Sequence, residues 1–287
     1  MKHKTVTKNS YEQRLLKVID YIYQYAEREL DVITLAEVAN MSSYHFHRIY
    51  REFAGETINV TVRRMRLLKA ASYLLHSDLS QHAIAKKVSY GSVEAFNRAF
   101  SKHYGETPNQ YRESRKTLGS FVYPKANKDY ATMYSIEQNT FTELTLITVD
   151  HQGDYMQIGN AFEKLTVMAA KHNLVDEKTR FFGIYYDDPK TVDKDKLRSK
   201  ACLSIDVSRL PTNHGFDLLT IPTANTVSLL FKGDYPELEM PYEWLFGQYL
   251  PSSNHELLDF PPFEEYLNSL KDTAPQDLLT RIHCLVA

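Results

Sequence analysis

The sequence is poor in the features on which several classes of protein depend. It has two cysteines in 287 residues, Cys202 and Cys284, which are too few for a disulfide framework and have no metal-ligand spacing. No apolar run approaches the roughly 18 residues of a membrane-spanning helix. The N-terminal MKHKTVTKNS has no apolar stretch after its lysines, so it does not have the pattern of a signal peptide. We expect a soluble, cytoplasmic protein without a membrane partner.

The histidines also lack a pattern that would indicate chemistry. His45 and His47 are two positions apart on a predicted helix and therefore do not share a helix face. The later histidines show neither ligand spacing nor a nucleophile partner; they are His151, His172, His214, His255 and His283. The sequence therefore predicts no metal, no cofactor and no catalytic residue.

Charge is divided unevenly along the chain. Residues 1–116 hold 19 Lys and Arg against 12 Asp and Glu, whereas residues 117–287 hold 15 against 24. The front part is therefore net positive by seven and the rear part net negative by nine. A basic half suits a polyanionic partner and an acidic half repels one.

The front part contains an internal repeat. FHRIYREFAGET at 46–57 returns as FNRAFSKHYGET at 96–107, and a short helical pattern precedes each copy. Each copy predicts a short helix, a tight turn and a longer helix with an arginine on its face. Two such units separated by one long helix can place two helices in successive major grooves, so the repeat predicts binding to double-stranded DNA.

The candidate DNA contacts follow from the way such helices read bases, which is through their N-terminal turns. The alternative interpretation of these positions is a solvated helix surface. The candidates are Ser43, Tyr44, His47, Arg48 and Arg51 in the first copy, and Val93, Glu94, Ala95, Asn97 and Arg98 in the second.

The rear part changes to alternating, strand-like runs after a polar stretch, and it contains a second repeat. HQGDYMQIGNAFEKL at 151–165 aligns with FKGDYPELEMPYEWL at 231–245, a period of eighty residues. Two β-α-β-β units of this kind predict a sheet with one helix from each copy packed on one face. We expect the other face to be open along the seam, where ligand pockets tend to form.

The front motifs resemble a known family. LAEVANMSSYHFHRIYREFAGET and IAKKVSYGSVEAFNRAFSKHYGETPNQYR resemble the double helix-turn-helix module of the AraC/XylS transcription regulators, over about residues 10–115. The resemblance implies a bacterial regulator with RNA polymerase as a further partner. Ser89 departs from the family's usual glycine, which costs about 1 kcal/mol if the turn needs a positive φ.

The rear motifs HQGDY, GIYYDDP, FKGDYPEL and FEEYLNSLKDTAPQDLLTRIHCLV resemble the GyrI-like effector-binding domain, over about residues 130–287. Such domains bind amphipathic, often cationic molecules, and the family's pocket acid falls on Glu264. Strand alternation places Tyr266 beside Glu264, and the repeat register of eighty adds Ile184 and Tyr186 while excluding Tyr185. Trp244 is either a core residue of the second helix or a wall of the effector pocket.

The sequence thus predicts an all-α double helix-turn-helix domain over 1–116, a linker over 117–130 and a GyrI-like α+β domain over 131–287, the last built from a duplicated β-α-β-β unit. The predicted function is a transcription regulator, not an enzyme, that senses a cationic amphipathic effector. Two alternatives remain open. Glu264 and a nearby tyrosine could activate water for hydrolysis, as in some relatives with the sensor fold, or the rear domain could dock a protein such as gyrase.

Overall fold

The computed structural model describes residues 3–114 and 134–287, with side chains from residue 11 onward in the first range. The predicted linker at 117–130 lies outside the described residues. Two compact units are present. The sheet unit contains residues 3–8, Tyr44–Ile49 and residues 134–287, and the helical unit contains residues 9–43 and 50–114. Across these residues, no helix is both long enough and apolar enough to cross a membrane.

The first described range is all helix, turn and loop, as the repeat predicts. Two helix-turn-helix pairs, α2 with α3 and α5 with α6, are separated by the long helix α4, which confirms the predicted helical architecture. The bounds are α1 His3–Tyr25, α2 Val32–Val38, α3 Ser43–Ala54, α4 Ile58–His76, α5 Gln81–Lys87, α6 Val93–Tyr104 and α7 Pro108–Ser114.

The two tight turns use left-handed backbone at equivalent places. Asn40 has φ 50° and Ser89 has φ 57°, a region in which asparagine is tolerated better than serine. The hydroxyl of Ser89 donates a hydrogen bond of 2.6 Å to the carbonyl oxygen of Glu27. This bond offsets part of the conformational penalty that the missing glycine predicts.

The second helix-turn-helix is held by an apolar core on one side of α6. Phe96 and Phe100 are fully buried with Ile84 and Tyr111, because positions four apart lie on the same helix face. Arg98 falls between the two phenylalanines and is exposed. The core therefore fixes which side of α6 is free to meet a partner.

The second described range forms one eight-stranded sheet in the order β1-β6-β8-β7-β3-β4-β2-β5, with antiparallel neighbours throughout. Its two larger helices are α8, Gly159–Lys171, and α9, Glu239–Trp244. The strands are β1 Ile136–Phe141, β2 Leu144–Gln152, β3 Phe181–Tyr185, β4 Arg198–Ser204, β5 Asp217–Ile221, β6 Ala224–Lys232, β7 Phe263–Tyr266 and β8 Leu279–Val286.

The repeated unit is β-β-α-β-β, and the two copies exchange their first strands. β1 pairs with β6 of the second copy, while β5 pairs with β2 of the first. β3 and β7 meet in the middle of the sheet. The predicted duplication is confirmed, with one additional strand in each copy.

The two faces of the sheet are both filled. On one face Leu165 of α8 packs against Ile147 and Leu203. On the other, Phe182 and Phe263 belong to a second buried apolar cluster. The prediction that this second face is open is therefore wrong, because the curled sheet packs its own apolar side chains together there.

Candidate functional site

The second copy of the repeat in the sheet unit has one residue more than the first between its Gly-Asp-Tyr motif and its third strand. This extra residue determines which side chains lie on the same face of the sheet. The backbone N–H of Gly153 donates to the carbonyl of Leu197 at 2.9 Å, and that of Gly233 donates to the carbonyl of Leu278 at 3.0 Å. The equivalent glycines are eighty residues apart, but the equivalent leucines are eighty-one apart. A slip of one residue moves every side chain of a strand to the opposite face.

The changed spacing corrects the predicted neighbours of Glu264. Gly183 lies directly opposite Glu264 in the sheet, and directly opposed residues share a face. Ile184 is buried on the other face beside Phe263. The sequence predicted that Ile184 shares the face of Glu264 and that Tyr185 does not. Both parts of that prediction are wrong, because the repeat spacing of eighty residues was applied beyond the point where the second copy has one residue more.

A buried carboxylate with tyrosine donors lies on the helix-bearing face. Glu264 is 4% exposed; its Oε1 accepts a hydrogen bond of 3.0 Å from Tyr242, and its Oε2 accepts one of 2.8 Å from Tyr266. The hydroxyls of Tyr266 and Tyr185 are 2.5 Å apart. Because Tyr266 has a single hydroxyl proton and donates it to the carboxylate, Tyr185 is the donor in the second pair.

Burial raises the pKa of Glu264 to about 7, against the opposing effects of its two tyrosine hydrogen bonds and the charge of Arg48. Burial also holds the pKa values of Tyr185, Tyr242 and Tyr266 well above their usual range, and the charge of Glu264 adds to this. The tyrosines therefore remain neutral donors near pH 7. The carboxylate, taken out of water and bonded only to neutral donors, is a group that a nearby cation stabilises.

Two further tyrosines surround this cluster, one from each copy of the repeat. The ring of Tyr155 lies 4.7 Å from that of Tyr185, and the ring of Tyr235 lies 5.6 Å from that of Tyr266, both edge to face. Tyr155 and Tyr235 are the tyrosines of the two Gly-Asp-Tyr motifs. The repetition of that motif was the signal that could have identified them as part of the site.

Arg48 of α3 occupies the same region of the sheet unit. Its guanidinium carbon lies 5.3 Å from the ring centre of Tyr242 and 5.4 Å from that of Phe246. One guanidinium nitrogen donates to the carbonyl of Asp187 at 3.1 Å, and the other donates to that of Tyr44 at 3.0 Å. Arg48 is 5% exposed, so in this conformation it is not available to a DNA base, in contrast to its predicted role.

The neighbouring His45 is fixed in the same unit. Its Nε2 lies 3.2 Å from the carbonyl oxygen of Leu258, and its ring stacks on Phe246 at 5.7 Å. Burial lowers the pKa of His45 to about 3, so the ring is neutral and Nε2 must carry the proton that it donates to the carbonyl. The segment Tyr44–Ile49 thus contributes one neutral ring and one guanidinium within the sheet unit.

The other two predicted effector residues are not partners of Glu264. Trp244 is buried and its ring contacts are with Tyr134 and Tyr249, so it belongs to the packing around α9. Tyr186 follows the end of β3, and its ring lies 5.9 Å from that of Tyr44. Tyr186 packs with Phe182 and Ile184 on the other face of the sheet, so the prediction that it faces the pocket is wrong for the same reason as that for Ile184. Tyr242, which sequence reasoning missed, supplies the hydrogen bond from α9 instead.

The opposite face of β7 carries a different carboxylate. Glu265 accepts a 2.7 Å hydrogen bond from Nε of Arg180, and its other oxygen lies 3.4 Å from Nε2 of His283. Nδ1 of His283 is 2.8 Å from the hydroxyl of Ser228. The hydrogen bonds from His283 and Arg180 lower the pKa of Glu265 to about 2, although burial opposes this. Glu265 is therefore ionised and paired under ordinary conditions.

The predicted DNA-contact positions differ between the two copies. In the second copy, Arg98 and Glu94 are exposed, whereas the other three positions are half-buried, namely Val93, Ala95 and Asn97. Asn97 donates to Gln81 at 3.1 Å. In the first copy, the half-buried positions are Ser43, Tyr44, His47 and Arg51, and Arg51 pairs with Glu52 at 3.0 Å. Among the described residues no group of three His, Cys, Asp or Glu side chains is placed to hold a metal ion.

Comparisons with known proteins match each part of the chain separately. Residues 134–286 match the family model of the GyrI-like small molecule binding domain, and residues 35–114 match that of a helix-turn-helix domain. The probable transcription factor PqrA of Proteus vulgaris is 34% identical over 103 residues, which cover 34% of this chain and 84% of PqrA.

Two other similar proteins illustrate how coverage varies. The uncharacterized HTH-type transcriptional regulator YbfP of Bacillus subtilis is 33% identical over 110 residues, covering 38% of this chain and 37% of YbfP. The chain therefore spans little more than a third of that relative. A cryo-EM structure of an EcmrR–DNA complex is 14% identical, with a TM-score of 0.47, and the match covers 89% of this chain and 98% of EcmrR.

Proposed function

We propose a function from the family to which this chain belongs, the AraC/XylS transcription regulators that carry a GyrI-like small-molecule-binding domain. The protein binds double-stranded DNA through α3 and α6, and it responds to a small organic cation at the site around Glu264. RNA polymerase is part of the same proposal as the protein that such a regulator acts on.

The DNA-binding part of the proposal is supported by the repeated helix-turn-helix and by the free face of α6. Arg98 is exposed opposite a core formed by Phe96 and Phe100, and residues 1–116 are net positive by seven. A guanidinium near the start of such a helix can form paired hydrogen bonds to guanine in the major groove. Both helices are in one chain, so a monomer can contact two neighbouring groove segments.

The observation that carries the sensing part is the environment of Glu264. Its carboxylate is buried, bonded to two neutral hydroxyls and flanked by aromatic rings that already hold a guanidinium. Aromatic faces attract cations by about 0.5–2 kcal/mol each when water is excluded. A charged hydrogen bond is roughly twice as strong as a neutral one, so this site favours a cation over a neutral molecule of the same shape.

The DNA-binding proposal is tested by selecting duplexes from random DNA with the full chain and then measuring variants on the selected site. Arg98→Ala is expected to lose about 1–3 kcal/mol of binding free energy on the selected site and less on random DNA, because base readout is lost. Lys102→Ala, an exposed cation on the last turn of the same helix, is the matched control and should weaken both DNAs alike. Equal losses for Arg98→Ala on both DNAs would reduce its role to a backbone contact.

The sensing proposal is tested by calorimetric titration of the full chain with phenylguanidinium and with phenylurea, which has the same shape but no charge. The wild-type protein is expected to prefer the cation. Glu264→Gln should remove most of that preference, which corresponds to about 1.5–3 kcal/mol for a hydrogen bond to a charged group, while leaving phenylurea binding unchanged. Equal affinities for both molecules, unaffected by the substitution, would contradict a cation site.

A further inference from the structure

The cation that lies in the Glu264 site comes from the protein itself. The guanidinium of Arg48 rests against Tyr242 and Phe246, whose rings are nearly parallel with their centres 6.1 Å apart. Its charge also lowers the pKa of Glu264. These interactions all lie within the sheet unit, which contains Tyr44–Ile49. They include the aromatic contacts and the charge interaction with Glu264 that the proposed function assigns to a cationic effector.

The carbonyl that receives Arg48 is held in a fixed position. The side-chain carboxylate of Asp187 accepts hydrogen bonds from the backbone N–H, Nε and Nη2 of Arg198, at 2.8, 3.0 and 2.7 Å. The hydroxyl of Tyr155 lies 3.1 Å from the backbone carbonyl oxygen of Asp187 and 3.0 Å from that of Arg198, and it has one proton to donate between them. Because Arg198 fixes the side chain of Asp187 and the hydroxyl of Tyr155 lies against its backbone, the carbonyl of Asp187 is held in position to accept a hydrogen bond from an N–H donor.

The two copies of the front repeat differ at this position. Arg48 and Arg98 are equivalent in the sequence repeat, yet Arg48 is 5% exposed and Arg98 is exposed. A guanidinium that is enclosed by aromatic rings and a carbonyl cannot also bind the edge of a base. Binding of Arg48 in the Glu264 site and base reading by Arg48 therefore exclude each other.

We propose that the segment Tyr44–Ile49 is an internal ligand of the Glu264 site, and that a cationic effector displaces Arg48 and makes it available to DNA. This proposal rests on the proposed function, because it assigns the same site to both the effector and the recognition helix. The effector competes with a tethered arginine, so its apparent dissociation constant is its intrinsic value divided by the fraction of molecules in which the site is vacated.

The test compares the binding of phenylguanidinium to the wild-type chain and to Arg48→Met, which keeps a long side chain but removes the charge. If the segment fills the site in 90–99% of molecules, the affinity for phenylguanidinium should rise about 10- to 100-fold in Arg48→Met. Arg98→Met changes the equivalent arginine of the second copy and should leave this affinity unchanged. An unchanged affinity in Arg48→Met would overturn the internal-ligand proposal.

A second measurement on the unmodified sequence does not depend on how well Arg48→Met folds. In ¹⁵N spectra of the arginine side chains, the Arg48 signal is the one that disappears in Arg48→Lys. Saturating phenylguanidinium should move this signal toward the position of a solvated arginine, whereas phenylurea should not. A signal that stays in place while phenylguanidinium binds would also overturn the proposal.

The design separates failure of this inference from failure of the proposed function. If Arg48→Met binds phenylguanidinium no better than wild type, but Glu264→Gln abolishes the preference for the cation, the sensing function stands and the internal ligand does not. If neither Arg48→Met nor wild type prefers phenylguanidinium to phenylurea, the cation site itself is wrong, and the inference falls with it.

Discussion

Glu264 and Glu265 are adjacent on β7, have the same side chain and are buried to nearly the same extent, 4% and 5% exposed, yet their surroundings are opposite in character. Glu264 meets two tyrosine hydroxyls on the helix-bearing face. Glu265 meets Arg180 and His283 on the other face. The pKa of Glu264 is raised to about 7, while that of Glu265 is lowered to about 2.

The difference separates a carboxylate that the domain neutralises with its own cation from one that, in the proposed function, a ligand neutralises. A buried charge that the domain neutralises with its own fixed cation contributes to the folded state, and removing its partner is costly. A buried carboxylate given only neutral donors lowers the stability of the fold when it ionises. Glu264 is of the second kind, and its partner is either Arg48 from α3 or, in the proposed function, an effector.

The largest expected effect is on the stabilising face. Glu265→Gln should lower the free energy of unfolding by about 1.5–3 kcal/mol at pH 7, since it removes the charged hydrogen bonds of a buried carboxylate whose main partner, Arg180, is itself 44% exposed. Because the pKa of Glu265 is lowered in the folded state, its stabilisation is present above pH 4.5 and is lost as the pH falls toward 2. Urea unfolding at pH 7 and at pH 3 measures this difference.

The difference between Glu265→Gln and wild type should therefore shrink at the lower pH. A second substitution provides the control: Arg180→Met removes the cation that bonds to Glu265 at 2.7 Å and should destabilise in the same pH range. Full wild-type stability of Glu265→Gln at pH 7 would show that this ion pair is not stabilising, and the contrast between the two faces would be lost.

The next effect has the opposite pH dependence. The pKa of Glu264 is raised by burial from 4.5 to about 7 in the folded state, so the folded protein holds a proton that the unfolded chain releases above pH 4.5. Wild-type stability should therefore fall by about 2 kcal/mol between pH 5 and pH 8 through this group. Glu264→Gln should lack this decrease, as measured by urea unfolding across that range.

Glu265→Gln is the internal control for the part of that measurement above pH 6.5, where Glu265 is ionised and His283, which it contacts, is neutral in both the folded and the unfolded chain, so the slope there should be unchanged. Identical slopes in wild type and Glu264→Gln would mean that Glu264 ionises as an ordinary solvated carboxylate. In that case the two faces of β7 would not differ in the way the structure indicates.

Much of the architecture could be predicted because it repeats in the sequence. The two copies of Gly-Glu-Thr and the equivalent arginines, Arg48 and Arg98, predict paired helix-turn-helix units, and each copy folds as an independent local pattern of caps, turns and apolar faces. The cost stated for Ser89 was conditional on a turn with positive φ, and the φ of Ser89 is 57°. These sequence patterns therefore predict the local structure of each copy.

The neighbours of Glu264 could not be predicted as reliably as the helical units, because the face of the sheet on which a side chain lies depends on the strand register. One residue added between the Gly-Asp-Tyr motif and the next strand reverses the face of every following side chain. The sequence contains the correction: at a spacing of eighty-one, Phe182 aligns with Phe263 and Tyr185 with Tyr266. The contribution of Tyr242 from a helix could not be read from strand alternation at all.

The burial of Arg48 could not be predicted from local sequence patterns either. Its helical position, which follows from the apolar face of α3, is the same as that of Arg98. Its contacts are with Tyr242, Phe246 and Asp187, which lie more than a hundred residues later in the chain. A repeat predicts equivalent local geometry, but it does not predict that only one copy acquires a distant partner.

The smallest expected effect concerns Gly183, which lies opposite Glu264 on the same face. A Cβ atom at Gly183 would lie 2.8 Å from the hydroxyl of Tyr266 and 2.8 Å from the ring of Tyr185, closer than atoms in contact normally approach. Gly183→Ala should therefore displace the tyrosine hydroxyl from Glu264 and destabilise the fold by about 1 kcal/mol, at the lower end of overpacking.

Ile184→Val, on the opposite face, is the matched control and should destabilise by a similar amount, about 1 kcal/mol, by losing a buried methyl group. The effects of the two substitutions can be distinguished by measuring the pKa of Glu264 in each variant with ¹³C NMR. The hydrogen bond from Tyr266 lowers the pKa of Glu264, so its loss in Gly183→Ala should raise that pKa further above 7, whereas Ile184→Val should leave it unchanged. If both substitutions leave the pKa of Glu264 where it is in wild type, the tyrosine hydroxyls do not control the carboxylate, and the helix-bearing face has no advantage over the other as a site for a cation.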